Sequence, residues 1–282
     1  MPKSINQHRS NSNLNARVQN LPQPLLPVQP LLDAIQIRHE PRAKFGRYFI
    51  RAEHELRQRG FTTGIISGET LLQINDQNRN SWSKIISVID CSVNCIDAFD
   101  IICIAIFDAT GRPIATIAAR RMDICSTLKT DMETLSFFYG QDGAEQKMQS
   151  DNFTISAPSA ATMTGSIVYL GGLWVHPDFR SDGLAICLAR IARNAAFARW
   201  APDFEIVIVT HAFNRPQAIE GHAFEQLEPA FEYIIDGKKA WEGSFAWSSQ
   251  AYCLAKLDRD LAARDSDLTF DDRRRQHVLH SA

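Results

Sequence analysis

The chain lacks the cysteine pattern of a disulfide framework or a zinc site. Its 282 residues include six cysteines but no Cys-x-x-Cys pair, and several of the six lie inside apolar runs, as buried thiols do. Cys91 and Cys95 have no second ligand pair at zinc spacing. We therefore expect a reducing compartment, no disulfide framework and no bound metal.

An excess of one charge and a long apolar run are missing as well. The chain has 30 Lys and Arg against 32 Asp and Glu, for a formal net charge of -2, which gives no general attraction to nucleic acid or anionic membrane. The N-terminus is hydrophilic, and the apolar run Ile101–Phe107 is too short to span a bilayer. These absences predict a cytoplasmic protein with no membrane span and no nucleic-acid partner.

Composition, together with the positions of proline-rich and polar segments, divides the chain into three parts. Hydrophobic residues make up 45% and charged residues 22%, as in an ordinary globular protein. We predict a flexible Pro/Gln/Asn-rich arm over residues 1–40, one domain with an N-terminal helical extension over 41–264, and a polar tail over 265–282. The leucines of the arm leave an alternative open, in which it packs on the domain or on a partner subunit.

Hydrophobic periodicity predicts the elements before the centre of the domain. Helices are expected over Pro41–Arg59, Glu69–Asn80 and Thr127–Phe138, and a hairpin over Phe99–Phe107 and Pro113–Met122. A polar stretch, Gly140–Thr164, follows. Neither a Gly-x-Ser-x-Gly elbow nor a P-loop occurs in the chain.

The sequence at the centre of the domain predicts a strand, a turn, a helix and a second strand. Ile167–Val175 and Phe204–Thr210 are apolar runs typical of buried strands, and Pro202 ends the helix between them. One stripe of that helix is apolar, whereas its other faces carry Arg190, Arg193 and Asn194. The stripe consists of Leu184, Leu188, Ile191, Ala195 and Ala198.

The turn between strand and helix has the pattern Arg-x-x-Gly-x-Ala, formed by Arg180, Gly183 and Ala185. Backbone N–H groups at a helix N-terminus have no partner in the helix, so such a turn is suited to a pyrophosphate. Gly183 would let the phosphates approach closely. Asp182 would repel them unless it points to solvent. The alternative is an ordinary turn in which glycine relieves strain.

In this pattern the chain resembles the GNAT superfamily of acyl-CoA-dependent N-acyltransferases. Arg180, Gly183 and Ala185 match the family's central motif, with Val175 and Pro177 in register before them. The resemblance extends from about Phe99 to Trp247, roughly half of the chain. It implies an α/β (α+β) fold, with a mixed, mostly antiparallel central sheet that is flanked by helices.

The resemblance also implies a co-substrate, acetyl-CoA or another acyl-CoA, and the residues that bind it. In the family, the strand before the motif bulges away from the next strand, and the gap admits pantetheine. Gly171 and Gly172 are compatible with such a bulge or with a simple twist. The implied cofactor-binding residues are Leu173, Trp174, Val175, Arg180, Ser181, Asp182, Gly183, Leu184, Ala185 and Asn214.

The acid and base of the reaction are not evident from the matching positions. Many GNAT enzymes carry a glutamate on the bulged strand, where this chain has Tyr169, Leu170 and two glycines. His211, after the central strand, is the candidate general base, with a structural histidine as the alternative. The tyrosine that often acts as the acid in the family is absent before Gly221, so the acid is unassigned.

The implied function is transfer of an acyl group from acyl-CoA to an amine acceptor of unknown identity. One alternative is an acyltransferase of the same fold that uses acyl-carrier protein to make a signal or lipid amide. The other is a non-catalytic acyl-CoA-binding regulatory module. The long stretch Gly140–Thr164 is expected to form a lid or a wall of the acceptor site, and a homodimer is possible.

Overall fold

The computed structural model describes residues 28–180, 182–210 and 224–263. Within them nine strands form one sheet, in the order β1-β2-β3-β4-β6-β7-β9-β8-β5. The strands are β1 (Gln29–Pro30), β2 (Thr62–Ile66), β3 (Ile101–Phe107), β4 (Pro113–Ile124), β5 (Asp151–Ile155), β6 (Gly165–Val175), β7 (Phe204–Thr210), β8 (Gln226–Ile235) and β9 (Lys238–Ser249).

Helices cover both faces of this sheet. They are α1 (Leu31–Ala34), α2 (Arg42–Gln58), α3 (Gly68–Gln77), α4 (Leu128–Glu133), α5 (Ser136–Lys147), α6 (Leu184–Trp200) and α7 (250–263). Of the paired strands described, only β6 and β7 are parallel. The predicted fold class, a mixed and mostly antiparallel sheet flanked by helices, is confirmed.

Two apolar layers hold the helices to the sheet. On one face, α2 and α6 pack through residues such as Phe45, Phe49 and Leu188. On the other face, residues of α3, α4 and α5 pack against the strands, with Phe138 and Phe245 fully buried among them. The alternating residues of β6 contribute to both layers because successive side chains of a strand point to opposite faces.

Helix α6 is buried beyond its predicted apolar stripe. All five stripe residues are buried, but so are Arg193 and Asn194, each 3% exposed. Arg193 lies against Glu205 of β7, which is fully buried, and both donor–acceptor distances of this bidentate pair are 2.6 Å. Burial disfavours the charge of Arg193, but the adjacent carboxylate outweighs that effect and raises the pKa of the guanidinium.

The described end of the predicted arm and the predicted insertion both take part in the fold. Residues 28–40, which the sequence places in the arm, include β1, paired with β2, and Leu31, which is fully buried. The predicted helix over Thr127–Phe138 is broken at Leu135, whose φ is 62°. The insertion is a helix and an edge strand, β5, which pairs with β8. It therefore belongs to the sheet and its core rather than forming a loose lid.

Candidate functional site

The two parallel strands at the centre of the sheet part before they end. β6 and β7 pair at three positions, from Ile167 with Phe204 to Tyr169 with Ile206. Beyond Tyr169 and Ile206 both strands continue, to Val175 and Thr210, without pairing to each other. This gap, which we call the β6–β7 opening, leaves the backbone groups of β6 that face β7 unpaired to that strand, while β4 still pairs with β6 on the other side.

A β-bulge turns β6 away at the opening. Ala118 of β4 pairs with Gly171, whereas Thr116 pairs with Trp174, so Gly172 and Leu173 together face one residue of β4. Gly172 has φ of +63°, and a Cβ there would lie 2.9 Å from Cδ1 of Ile89. The Thr116 hydroxyl donates to the carbonyl of Gly172 at 3.1 Å. Of the two possibilities that the sequence left open, the bulge is the one present, and its positive φ and the close Ile89 side chain favour glycine at position 172.

Helix α6 begins beside the opening with its first N–H groups free of helical partners. Gly183 is the N-cap, with φ of 69°, and a Cβ added to it would meet no atom within 4 Å. Leu184, Ala185 and Ile186 follow, and the first turn of α6 contains no acidic residue. Three outward N–H groups and the helix dipole thus make this terminus favourable for an anion.

Two arginines surround the turn, and only one was expected from the sequence. Arg180 donates to the carbonyls of Val175 at 3.2 Å and Ser81 at 3.1 Å, so it fastens the turn to the loop after α3. Arg59, at the end of α2, donates to the carbonyl of Asp182 at 2.6 Å. Both arginines are exposed. Arg59 lies 123 residues away in sequence, and no local motif marks it.

The side chains of the three predicted strand residues point to different layers. Leu173 and Val175 pack toward α6. Trp174 points to the other face, where it stacks on Trp82 at 5.4 Å between ring centroids and donates to the Ser81 hydroxyl at 3.2 Å. Trp174 can therefore offer only backbone atoms to a ligand in the opening.

Several predicted site residues are not part of the described structure. Ser181, His211 and Asn214 lie outside the described residues, so their roles stay predictions. Leu173, Val175, Arg180, Asp182 and the first residues of α6 do lie at one end of β6. In the ranges given above, the structure contains no group of three or more His, Cys, Asp or Glu side chains that could hold a metal.

A cavity of about 190 Å³ lies elsewhere, beside β2, α3 and the β3–β4 hairpin. It contains no ionisable side chain, which is why we do not place the chemistry there. Its lining residues are Val28, Thr62, Thr70, Ile74, Phe107, Gly111 and Pro113.

A scan against protein-family models found no match, and neither did a search of curated proteins. A search of solved structures did find similar ones. A spermidine N-acetyltransferase from Vibrio cholerae in complex with CoA and spermine is 12% identical, with a TM-score of 0.40, covering 70% of this chain and 99% of that one. A dodecameric form from the same organism is 10% identical at 0.41, covering 68% and 95%.

Arabidopsis thaliana NAA60 in complex with a bisubstrate analogue is similar to the same degree. It is 15% identical, with a TM-score of 0.40, and the match covers 66% of this chain and 95% of that one. Structures this distant do not carry their ligands or acceptors over to this chain. No helix of the described ranges is both long and apolar enough to cross a membrane.

Proposed function

We propose that this protein is a cytoplasmic N-acyltransferase that transfers an acyl group from acetyl-CoA or a longer acyl-CoA to an amine. The observation that supports it is a single juxtaposition. The β6–β7 opening, the bulge at Gly172 and the glycine-capped N-terminus of α6 lie at the same end of the sheet. An extended chain with amides and a pyrophosphate at its end is the ligand that this arrangement fits.

Each part of acyl-CoA has a matching group in this chain. The pantetheine amides would hydrogen-bond the backbone of β6 beyond Tyr169, where no neighbouring strand competes. The pyrophosphate would accept from the N–H groups of Leu184 and Ala185, where Gly183 leaves open space. Arg59, which already binds the carbonyl of Asp182, would add positive potential beside that carboxylate.

The chemistry would be direct attack of the amine on the thioester, with no covalent enzyme intermediate. The main contributions of the protein would be positioning of the two reactants and stabilisation of the oxyanion by a backbone N–H of β6. His211 remains the candidate general base.

One observation favours a second candidate, an acyl-CoA-binding module without turnover. The positions of β6 at the opening, Tyr169 to Leu173, carry no carboxylate that could take a proton from the amine. The two candidates share the ligand and differ in whether thiol is released.

Heat stabilisation by acetyl-CoA is the first test of the proposal. At a concentration of 100 times Kd, a ligand that binds only the folded state stabilises it by about 2.7 kcal/mol, which raises Tm by about 5–10 °C for a chain of this size. Thiol release with a panel of amines then separates the enzyme from the binding module. If acyl-pantetheine on a carrier protein stabilises the chain and no acyl-CoA does so, the donor is acyl-carrier protein instead of acyl-CoA. No stabilisation by any of these donors would refute the proposal.

Changing Gly172 to alanine tests the role of the bulge. With φ of +63°, alanine is strained there, and we expect a loss of about 1–2 kcal/mol in unfolding free energy. Gly237→Ala is the matched control, since Gly237 has φ of +71° in open space and lies on the β8–β9 turn. Gly172→Ala should lose more stability in urea than Gly237→Ala, because only its Cβ meets another atom, Cδ1 of Ile89 at 2.9 Å. Only Gly172→Ala should weaken acetyl-CoA binding, by several-fold. Equal acetyl-CoA affinity in the two variants would mean that the bulge has no part in binding.

A further inference from the structure

Tyr169 occupies the point at which the central strands part. It is the last residue of β6 that pairs with β7, opposite Ile206, and it is only 3% exposed. Its side chain lies on the face opposite α6, in the layer that contains Phe137 and Phe245. A ligand whose reacting end reached the bottom of the β6–β7 opening would therefore meet this residue first.

The ring of Tyr169 leans along β6 toward the bulge. A Cβ at Gly171 would lie 2.6 Å from Cε1 of Tyr169 and 3.1 Å from its hydroxyl, so glycine at 171 makes the room for this side chain. Phe137 contacts the ring edge-on, at 5.8 Å between centroids and 87° between planes. The hydroxyl is thereby held over Gly171, two residues beyond the last β6–β7 pair.

The hydroxyl of Tyr169 has no hydrogen-bond partner in the described part of the chain. A second buried tyrosine shows the contrast, because the Tyr233 hydroxyl lies 2.8 Å from that of Tyr139 and donates to Asp151 at 3.0 Å. A hydroxyl without a partner in the protein is free to donate to a bound ligand. Burial also raises the pKa of Tyr169, so the group stays a neutral donor.

We propose that the Tyr169 hydroxyl is a catalytic hydrogen-bond donor to the sulfur of the acyl thioester as the thiolate departs. The inference rests on the proposed function, since it needs an acyl-CoA in the opening. It supplies a group for the leaving thiol that the family's motif positions do not contain in this chain.

The reaction balances without any proton lost from the tyrosine. The amine nitrogen forms a bond to the thioester carbonyl carbon, and the carbon–sulfur bond then breaks, so that its electron pair remains on sulfur. The nitrogen loses one proton to the general base, and the thiolate leaves as the anion. Tyr169 donates a hydrogen bond to the charge that develops on sulfur and keeps its own proton throughout. Such a fixed donor acts in the transition state more than in the ground state.

Tyr169→Phe tests this role against that of an ordinary core residue. Loss of a hydrogen bond to a developing charge should lower kcat for thiol release by about 10- to 100-fold. The Kd for acetyl-CoA should stay within about twofold of wild type, because the bond forms in the transition state. Tm should not fall, because the missing hydroxyl has no partner in the described protein.

Tyr233→Phe is the matched control, and the wild-type chain is measured beside both variants. Tyr233→Phe should lower Tm through the loss of its two hydrogen bonds while kcat changes by less than about twofold. If wild type releases thiol and Tyr169→Phe does so at the same rate, the role of Tyr169 is refuted and the proposed function stands. If wild type binds no acyl-CoA, or binds it without releasing thiol to water or amine, the proposal for Tyr169 is refuted with acyl transfer itself.

Discussion

Replacement of Gly183 by glutamate is expected to weaken acetyl-CoA binding by about 100-fold or more while the fold remains. Gly183 caps α6, and its missing side chain leaves open space at the helix N-terminus. A carboxylate there would lie beside the pyrophosphate. Two like charges 4 Å apart near a protein surface repel by about 4 kcal/mol, and screening by solvent removes part of that. About 1.4 kcal/mol corresponds to tenfold in Kd, so a remaining repulsion of about 3 kcal/mol corresponds to the expected loss of about 100-fold in affinity.

Gly183→Gln is the control for the backbone conformation. Both substitutions place an L-residue at φ of 69° and should therefore lose the same stability, about 1–2 kcal/mol. Only the glutamate adds a charge. Calorimetric titration with acetyl-CoA and thermal unfolding of the three proteins measure the two effects separately. Equal affinity in the glutamate and glutamine variants would place the phosphates somewhere else.

The second large effect is on stability, at the buried ion pair between α6 and β7. Glu205→Gln keeps the shape of the side chain but removes the carboxylate that forms the bidentate pair with Arg193, which is 3% exposed. Removal of one partner from a buried pair costs about 3–5 kcal/mol. Urea unfolding should show that loss as a lower midpoint at an unchanged m-value.

An exposed ion pair is the matched control for this prediction. Glu242 accepts from Lys239 at 2.8 Å, and both side chains are about half exposed. Glu242→Gln should change the unfolding free energy by no more than about 1 kcal/mol. The double variant Arg193→Met, Glu205→Leu should recover much of the loss, because both charges of this buried pair are removed together. If Glu205→Gln loses less than about 1 kcal/mol of unfolding free energy, that result would contradict a buried ion pair between Arg193 and Glu205.

The sequence predicted the central part of the fold well because the local signals there agree with the tertiary structure. Apart from Glu205, the runs Ile167–Val175 and Phe204–Thr210 that became most of β6 and all of β7 are largely apolar, as strands covered on both faces are. Gly183 and Pro202 mark the ends of the helix between them. The adjacent glycines at 171 and 172 were compatible with a bulge or with a simple twist, and only the pairing of β6 with β4 distinguishes the two.

The sequence analysis did not predict β2 and β5. Both strands are short, and both depend on contacts with residues far away in the chain. β2 has five residues and includes Gly64, where a Cβ would lie 3.0 Å from the carbonyl oxygen of Gln29. That glycine is needed because β1 passes close by, which no local pattern reveals. β5 also has five residues, and it pairs with β8, which is some eighty residues later in the chain.

In the candidate site, too, residues marked by a local sequence pattern were predicted and residues placed by tertiary packing were not. Gly183 and Ala185 were predicted because they are contiguous with the helix that they begin. Arg59 reaches the turn from the end of α2, and its position depends on how α2 packs. The role proposed for Tyr169 could not be predicted either, since the sequence shows a tyrosine but not whether its hydroxyl has a hydrogen-bond partner.

Amide hydrogen exchange of the full chain, with and without saturating acetyl-CoA, tests the proposed binding site most directly. Binding in the β6–β7 opening should slow exchange at Gly171–Val175 and at Leu184–Ile186, where backbone N–H groups would meet the ligand. The edge strand Asp151–Ile155 should exchange at the same rate in both samples. Saturable binding of acetyl-CoA with no slowing at either of the first two segments would contradict the account.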